Sequence, residues 1–223
     1  MKGSFITFEG GEGSGKSTQI DRLARRLRLS GIDLATYREP GGTPGAEEIR
    51  ALLVQGEPGR WTPKTEALLM SASRADLITR CILPQLENNG WVLCDRFSDS
   101  TIAYQGFGHG LGYELVEQLN AFTVGSLLPD LTFIFQLNPE IGLERTALRE
   151  GKEDRYERFD IEFHRNVERG YAEILKRNPT RCVAVDALHD IDTMADFIFA
   201  EVERRFGIFQ ESGGGNQETG ELS

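Results

Sequence analysis

A chain of 223 residues, 39% of them hydrophobic, has the length for one α/β domain with a sizeable core. Its formal net charge of −10 speaks against a general nucleic-acid-binding surface, so any polyphosphate it holds must be met by locally gathered arginines. Cys81, Cys94 and Cys182 show neither disulfide nor metal spacing, the N-terminus carries no apolar signal segment, and no run reaches membrane-spanning length, so a cytoplasmic protein without a membrane partner is expected.

The first predicted element, Ser4–Phe8, is a β-branched and aromatic run of the kind a buried strand requires. It leads into Gly10-Gly11-Glu12-Gly13-Ser14-Gly15-Lys16-Ser17, which fits G-x-x-x-x-G-K-[ST], followed by Thr18. Glycines let successive backbone N–H groups turn inward onto phosphates, and the helix that follows adds its positive N-terminal end. Lys16 is placed to reach the β- and γ-phosphates of a nucleoside triphosphate, and the Ser17 hydroxyl to ligate Mg²⁺. After the loop, Ile20, Leu23, Ala24 and Leu27 recur at helical spacing, and Gly31 is a helix stop.

Further strands are predicted at Asp33–Tyr37, Trp91–Cys94, Leu131–Leu137 and Cys182–Val185, with helical patterns between them. Alternation of this kind implies a five-stranded parallel sheet covered by helices on both faces, the P-loop NTPase arrangement. Ligands then sit beyond the carboxyl ends of the strands. The second strand is followed by Arg38-Glu39-Pro40-Gly41-Gly42-Thr43-Pro44-Gly45, which by itself reads as a surface turn. The third is followed by Asp95-Arg96-Phe97, where Asp95 suits direct or water-mediated Mg²⁺ binding and Arg96 offers a fork for a second phosphate; an ordinary ion pair is the alternative. Beyond the fourth, Glu140 to Arg158 carries Arg145, Arg149, Lys152, Arg155 and Arg158 among acids, which reads either as a solvated helix or as a mobile lid at about 145–158. The domain is expected to span 1–208. Residues 209–223 are Gly-, Glu- and Ser-rich and are expected to stay disordered; without the three acids there the chain is near −7.

Together these segments resemble thymidylate kinase. Phe8 to Gln19 resembles its phosphate loop, Arg38 to Thr43 its Arg-Glu-Pro-Gly-Gly-Thr segment, Leu68 to Ala75 its thymine-site helix, and Asp95-Arg96-Phe97 with Ser100 to Gln105 its Asp-Arg-aromatic and Ala-Tyr-Gln elements. The resemblance covers about Ser4 to Phe206. It implies transfer of the ATP γ-phosphoryl group to dTMP, with Mg²⁺, in a homodimer for which Leu119, Phe122 and Leu127 are candidate core or interface residues.

The resemblance also implies roles by position. Glu12 would face the acceptor sugar 3′-hydroxyl, Arg96 with Arg38 would hold the acceptor phosphate, and Arg74 would hydrogen-bond a thymine carbonyl. Ser100, Thr101, Tyr104 and Gln105 would line the base and deoxyribose. Plain alternatives are an ion pair of Arg74 with Asp76 or Glu66, and core packing for Tyr104. The loop has no basic residue between Gly10 and Gly15, and family members of that kind supply the missing charge from the lid, which makes Arg149 and Arg155 the candidates here. Met70 replaces the usual phenylalanine, and its flexible thioether can lie against a ring. Gln136 replaces a common strand-end Asp, which leaves Asp95 and Glu9 for the metal region.

Overall fold

The computed structural model describes residues 3–147 and 154–208. Within them, β1 (Phe5–Gly10), β2 (Leu34–Arg38), β3 (Trp91–Asp95), β4 (Leu131–Gln136) and β5 (Cys182–Asp186) form one sheet in the order β2-β3-β1-β4-β5. Every pairing is parallel, with Phe8 opposite Asp95 and Phe133, and Arg38 opposite Asp95. All five predicted strands are present. Several run one or two residues further at the carboxyl end, so that Gly10, Arg38 and Asp95 close their strands together at one edge.

The helices are α1 (Lys16–Leu29), α2 (Pro44–Val54), α3 (Pro63–Leu77), α4 (Leu83–Glu87), α5 (Ser98–Thr101), α6 (Tyr113–Val124), α7 (Pro139–Thr146), α8 (Ile161–Arg177) and α9 (Ile191–Phe206). Their starts follow from local chemistry. Thr43, Thr62, Asp160 and Asp190 each accept a backbone N–H of the first turn, and Pro44 and Pro63 take helix-start positions where no N–H is missed. Gly31, φ 78°, lies just past the end of α1.

Alternate residues of each strand feed opposite faces, and both faces are covered. Ile6, Phe8, Leu93, Phe133, Phe135 and Val185 pack under α1 and α9 with Leu23, Leu27, Ile198 and Val202. On the other face, Phe5, Val92 and Cys94 meet Leu77 of α3 and Val124 of α6, while Ile134 and Cys182 meet Val167 and Tyr171 of α8. Burial on both sides explains why the strands read as unbroken apolar runs. No helix among the described residues is long and apolar enough to cross a membrane.

Two helical stretches widen to π geometry, Ile78–Ile82 after α3 and Ile102–Gly108 after α5. The second carries Tyr104 and Gln105, and π segments recur where side chains must be re-aimed at a site. The tail expected at 209–223 and the centre of the expected lid, 148–153, lie outside the described residues, and Arg149 with them.

Candidate active site

The phosphate loop closes on itself. Gly13 and Gly15 take φ of 67° and 89°, which a side chain rarely adopts, and a Cβ on Gly13 would stand 2.3 Å from the Gly142 carbonyl of α7. Lys16 Nζ donates to the carbonyls of Gly10 (3.1 Å) and Gly11 (2.8 Å) and to Ser14 Oγ (3.1 Å). Burial, and then the nearby Arg96, lower its pKa to about 8. The lysine is thus parked across the loop, inside the cradle that phosphate oxygens would enter. Thr18 is exposed in the first turn of α1.

At the mouth of this loop Ser17 Oγ donates to Asp95 Oδ2 at 2.9 Å. A hydroxyl and a carboxylate side by side are hard oxygen donors, the set Mg²⁺ takes when phosphates and water complete its shell. Arg38 shares this shallow groove with Ser17 and Asp95 and pairs with Glu47 at 3.3 Å. It is therefore not on the wall of the neighbouring cavity beside Arg96, where it was expected.

Glu9 departs from expectation as well. It is fully buried, and its carboxylate accepts from the Phe97 N–H (2.7 Å), Ser100 Oγ (2.5 Å) and Tyr171 OH (3.2 Å). Strand alternation turns it to the α8 face, away from the Ser17–Asp95 pair. Burial, with Asp99 nearby, raises its pKa to about 7.

Arg96 links the two halves. It is a non-glycine residue at φ 68°, a conformation that normally persists only where the surroundings hold it. Its N–H donates to the Phe8 carbonyl, and its guanidinium donates to Gly10 O (3.0 Å), Ser100 Oγ (3.3 Å), Tyr171 OH (3.2 Å) and Glu12 Oε1 (2.9 Å). Tyr104 OH also donates to Glu12 Oε1, at 2.7 Å. Burial works to raise the Glu12 pKa, but Arg96, Lys16 and this hydroxyl outweigh it and hold the carboxyl below its ordinary value.

Beside Arg96 opens a cavity of about 120 Å³. Eight residues predicted for the acceptor line it: Glu12, Met70, Arg74, Arg96, Ser100, Thr101, Tyr104 and Gln105. Arg74 is nearly fully buried. It pairs with Glu39 (2.7 Å) and donates to the Phe97 carbonyl (2.8 Å) and Asn120 Oδ1 (3.3 Å), so its partner is neither Asp76 nor Glu66. The wall also holds Glu39, Pro40, Arg50 and Tyr156, which sequence reasoning did not single out. Glu39 and Pro40 sat inside the quoted Arg-Glu-Pro-Gly-Gly-Thr segment. Arg50, six residues past Pro44 on α2 and donating to the Pro40 carbonyl at 2.9 Å, gave no signal of its own.

Arg155 needs correcting. It was expected at the transferring phosphate, yet it is fully buried beneath the cavity wall. Its guanidinium donates to the carbonyls of Leu53 (3.0 Å), Glu57 (3.0 Å) and Pro58 (2.7 Å) and pairs with Glu66 at 2.6 Å. With every side of its fork occupied, it is a clamp between the α2–α3 connection and the segment leading into α8. Arg145, which had been only one of a basic run, does touch the phosphate loop, through the Gly13 carbonyl at 3.3 Å.

The thymidylate kinase family profile matches residues 8–198. The thymidylate kinase of Caulobacter vibrioides is 49% identical over 207 residues, 93% of this chain and 99% of that protein. That of Magnetococcus marinus is 43% identical over 208 residues, with the same coverage of 93% and 99%. Among solved structures, thymidylate kinase from Ehrlichia chaffeensis superposes with a TM-score of 0.73 at 34% identity, covering 91% of this chain and 99% of that one. With a phosphate loop joined through Glu12 and Arg96 to a neighbouring cavity on this five-stranded sheet, and with these relatives, the chain is a member of the thymidylate kinase family.

Proposed function

We propose that this chain transfers the γ-phosphoryl group of ATP to dTMP, giving dTDP and ADP, with the donor phosphates in Gly10–Thr18 and the acceptor in the cavity beside it. Family membership supports the reaction. The observation that carries the division of labour is that Glu12 belongs to both parts: it is a residue of the loop and a wall of the cavity. The two phosphates must therefore meet at Arg96.

The acceptor phosphate has a second pKa of about 6 and is mostly dianionic at neutral pH, so it needs no general base. The protein's task is to align two anions and offset their repulsion. Lys16 leaves its carbonyl partners for the β- and γ-phosphates. Arg96 swings its fork from Gly10 and Glu12 to the acceptor phosphate, and Glu12, released from that pair, accepts from the sugar hydroxyl. Ser17 and Asp95 would hold Mg²⁺, which would offset the charge that develops on the phosphates. Tyr104, fixed by Glu12, closes the floor under the deoxyribose, and Met70 lies over the base.

The protein works in the cytoplasm as a homodimer. Free cysteines suit a reducing setting, and the exposed apolar side chains Phe122 (89%), Leu128 (62%) and Leu115 (48%) at α6 supply a face for a second copy. Sedimentation of the wild type and Phe122→Ser checks the dimer.

An assay of ADP release with ATP, Mg²⁺ and a panel of dTMP, dUMP, dCMP and AMP tests the reaction. Preferred turnover of dTMP is expected; equal rates across the panel would sink the assignment.

A further inference from the structure

Gln105 lies on the cavity wall, and its side chain carries two opposite hydrogen-bonding groups. A free amide could present either one to a ligand. Here the choice is made from behind. Nε2 donates to Glu66 Oε1 at 2.8 Å, and His109 Nε2 lies 2.9 Å from the same oxygen. The other oxygen of Glu66 faces the buried Arg155 at 2.6 Å. Neither Glu66 nor Arg155 exposes its side chain to solvent.

The polarity of this chain of contacts has one direction. Arginine only donates and keeps its proton in any protein setting. Burial works to raise the Glu66 pKa, but the His109 hydrogen bond and the charges of His109 and Arg155 outweigh it and keep the carboxyl below its ordinary value. An ionised carboxylate only accepts, so the Gln105 amide must turn its NH₂ toward Glu66. Its Oε1 is left buried and without a partner among the described residues. A buried acceptor in that state favours any ligand that brings a donor to it.

Arg74 supplies the complementary feature on the same wall, a group that can only donate. Thymine and uracil offer an N3–H donor next to the O4 acceptor. Cytosine offers the reverse, an N3 acceptor next to an amino donor. We propose that Glu66 and Arg155 are positioning residues that lock the Gln105 amide with its oxygen toward the base, so that the cavity accepts a pyrimidine bearing N3–H and rejects cytosine. The proposal rests on the reading of this cavity as the thymine site. It gives Arg155 a role in base choice, reached through Glu66 and not through the phosphate.

Glu66→Gln tests it in the full-length enzyme with ATP and Mg²⁺. An amide at 66 can accept or donate, so Gln105 is free to turn. A site built around one hydrogen-bond pattern discriminates strongly against the other, so kcat/KM for dTMP relative to dCMP is expected to fall at least tenfold. Because Glu66→Gln leaves Arg155 buried without its counter-charge, the pair Glu66→Gln/Arg155→Met is measured alongside. It removes both charges at similar volume, is expected to melt cooperatively, and should show the same collapse of selectivity. Glu66→Asp keeps the acceptor-only charge and should restore the ratio. A purely structural role would lower both acceptors together, so a dTMP/dCMP ratio that moves less than tenfold in the charge-free pair overturns the proposal. A wild-type enzyme without preference for dTMP over dCMP would instead overturn the underlying substrate reading.

Discussion

Lys16 finds its three partners within six residues of itself, at Gly10, Gly11 and Ser14, whereas Arg74 reaches 35, 46 and 23 residues along the chain to Glu39, Asn120 and Phe97. The phosphate loop is one continuous stretch whose contacts are local. The cavity beside it is made of side chains from stretches far apart in the chain, and the Arg74–Glu39 ion pair is buried in its wall. Two buried cations in one site thus have different standing. Lys16 rests on carbonyls and a hydroxyl that a ligand replaces. Arg74 holds a buried acid, Glu39.

The largest effect should come from breaking the acceptor lock. Arg74→Met leaves Glu39 buried beside an apolar side chain, and burial already pushes that carboxyl above its ordinary pKa despite Arg74. Removing one partner of a buried pair costs about 3–5 kcal/mol, or roughly 10 °C in Tm for a chain of this size. Glu39→Gln in the same background should recover most of the loss, because it removes the stranded charge. A calorimetric scan decides: an Arg74→Met chain melting within about 2 °C of wild type would mean that the pair does not hold the site together.

The donor side should answer in rate and not in stability. Lys16→Ala is expected to lower kcat/KM by about a hundredfold or more, the usual cost of one charge facing a transferring phosphoryl group. Its Tm should stay close to wild type, since only two carbonyls and the Ser14 hydroxyl, all at a loop that water can enter, lose a partner. Arg96→Ala should lower kcat/KM by a similar factor of about a hundred, with the loss concentrated in KM for dTMP. Retention of more than about a tenth of activity in either variant contradicts these roles. A large fall in Tm for Lys16→Ala would erase the contrast between the two halves.

The same contrast explains what could be read from the chain alone. The loop from Gly10 to Thr18 was legible because its chemistry is contiguous and the flanking periods, strand then helix, are strong. The parallel sheet followed less directly, from alternation of elements, and its strand order came only with the fold. The cavity residues Arg74, Tyr104 and Gln105 were singled out through resemblance, but their partners were not, because Glu39, Glu66 and Arg155 pair across long stretches that spacing does not encode. Arg155 shows the limit best. Its neighbours Asp154 and Glu157 look like those of a solvated or lid arginine, and only the fold reveals that Leu53, Glu57 and Pro58 close over it. Arg38 and Glu9 were misplaced for a simpler reason: one residue along a strand changes the face, and sequence bounds on strands are uncertain by more than that.

The smallest expected effect lies between the two halves. A small chamber separates the phosphate loop from α7 and α8, lined by Gly11, Glu12, Pro139, Leu143, His164 and Glu168. Burial alone raises the Glu168 pKa to about 7. Below the ordinary carboxyl range, folded and unfolded chains both hold this proton. As pH rises toward 7 the unfolded chain releases it and the folded chain keeps it, so stability falls across that window and levels off above it. His164 acts in the opposite sense: burial lowers its pKa, so it costs stability as pH falls. Comparing wild type with Glu168→Gln cancels His164 and Glu9 and isolates the carboxyl. The variant should gain on wild type between pH 5 and pH 8 by roughly 1–3 kcal/mol, a few degrees in Tm. Parallel Tm curves for the two proteins would mean that Glu168 stays hydrated, and that the chamber between the phosphate loop and α8 is open to water.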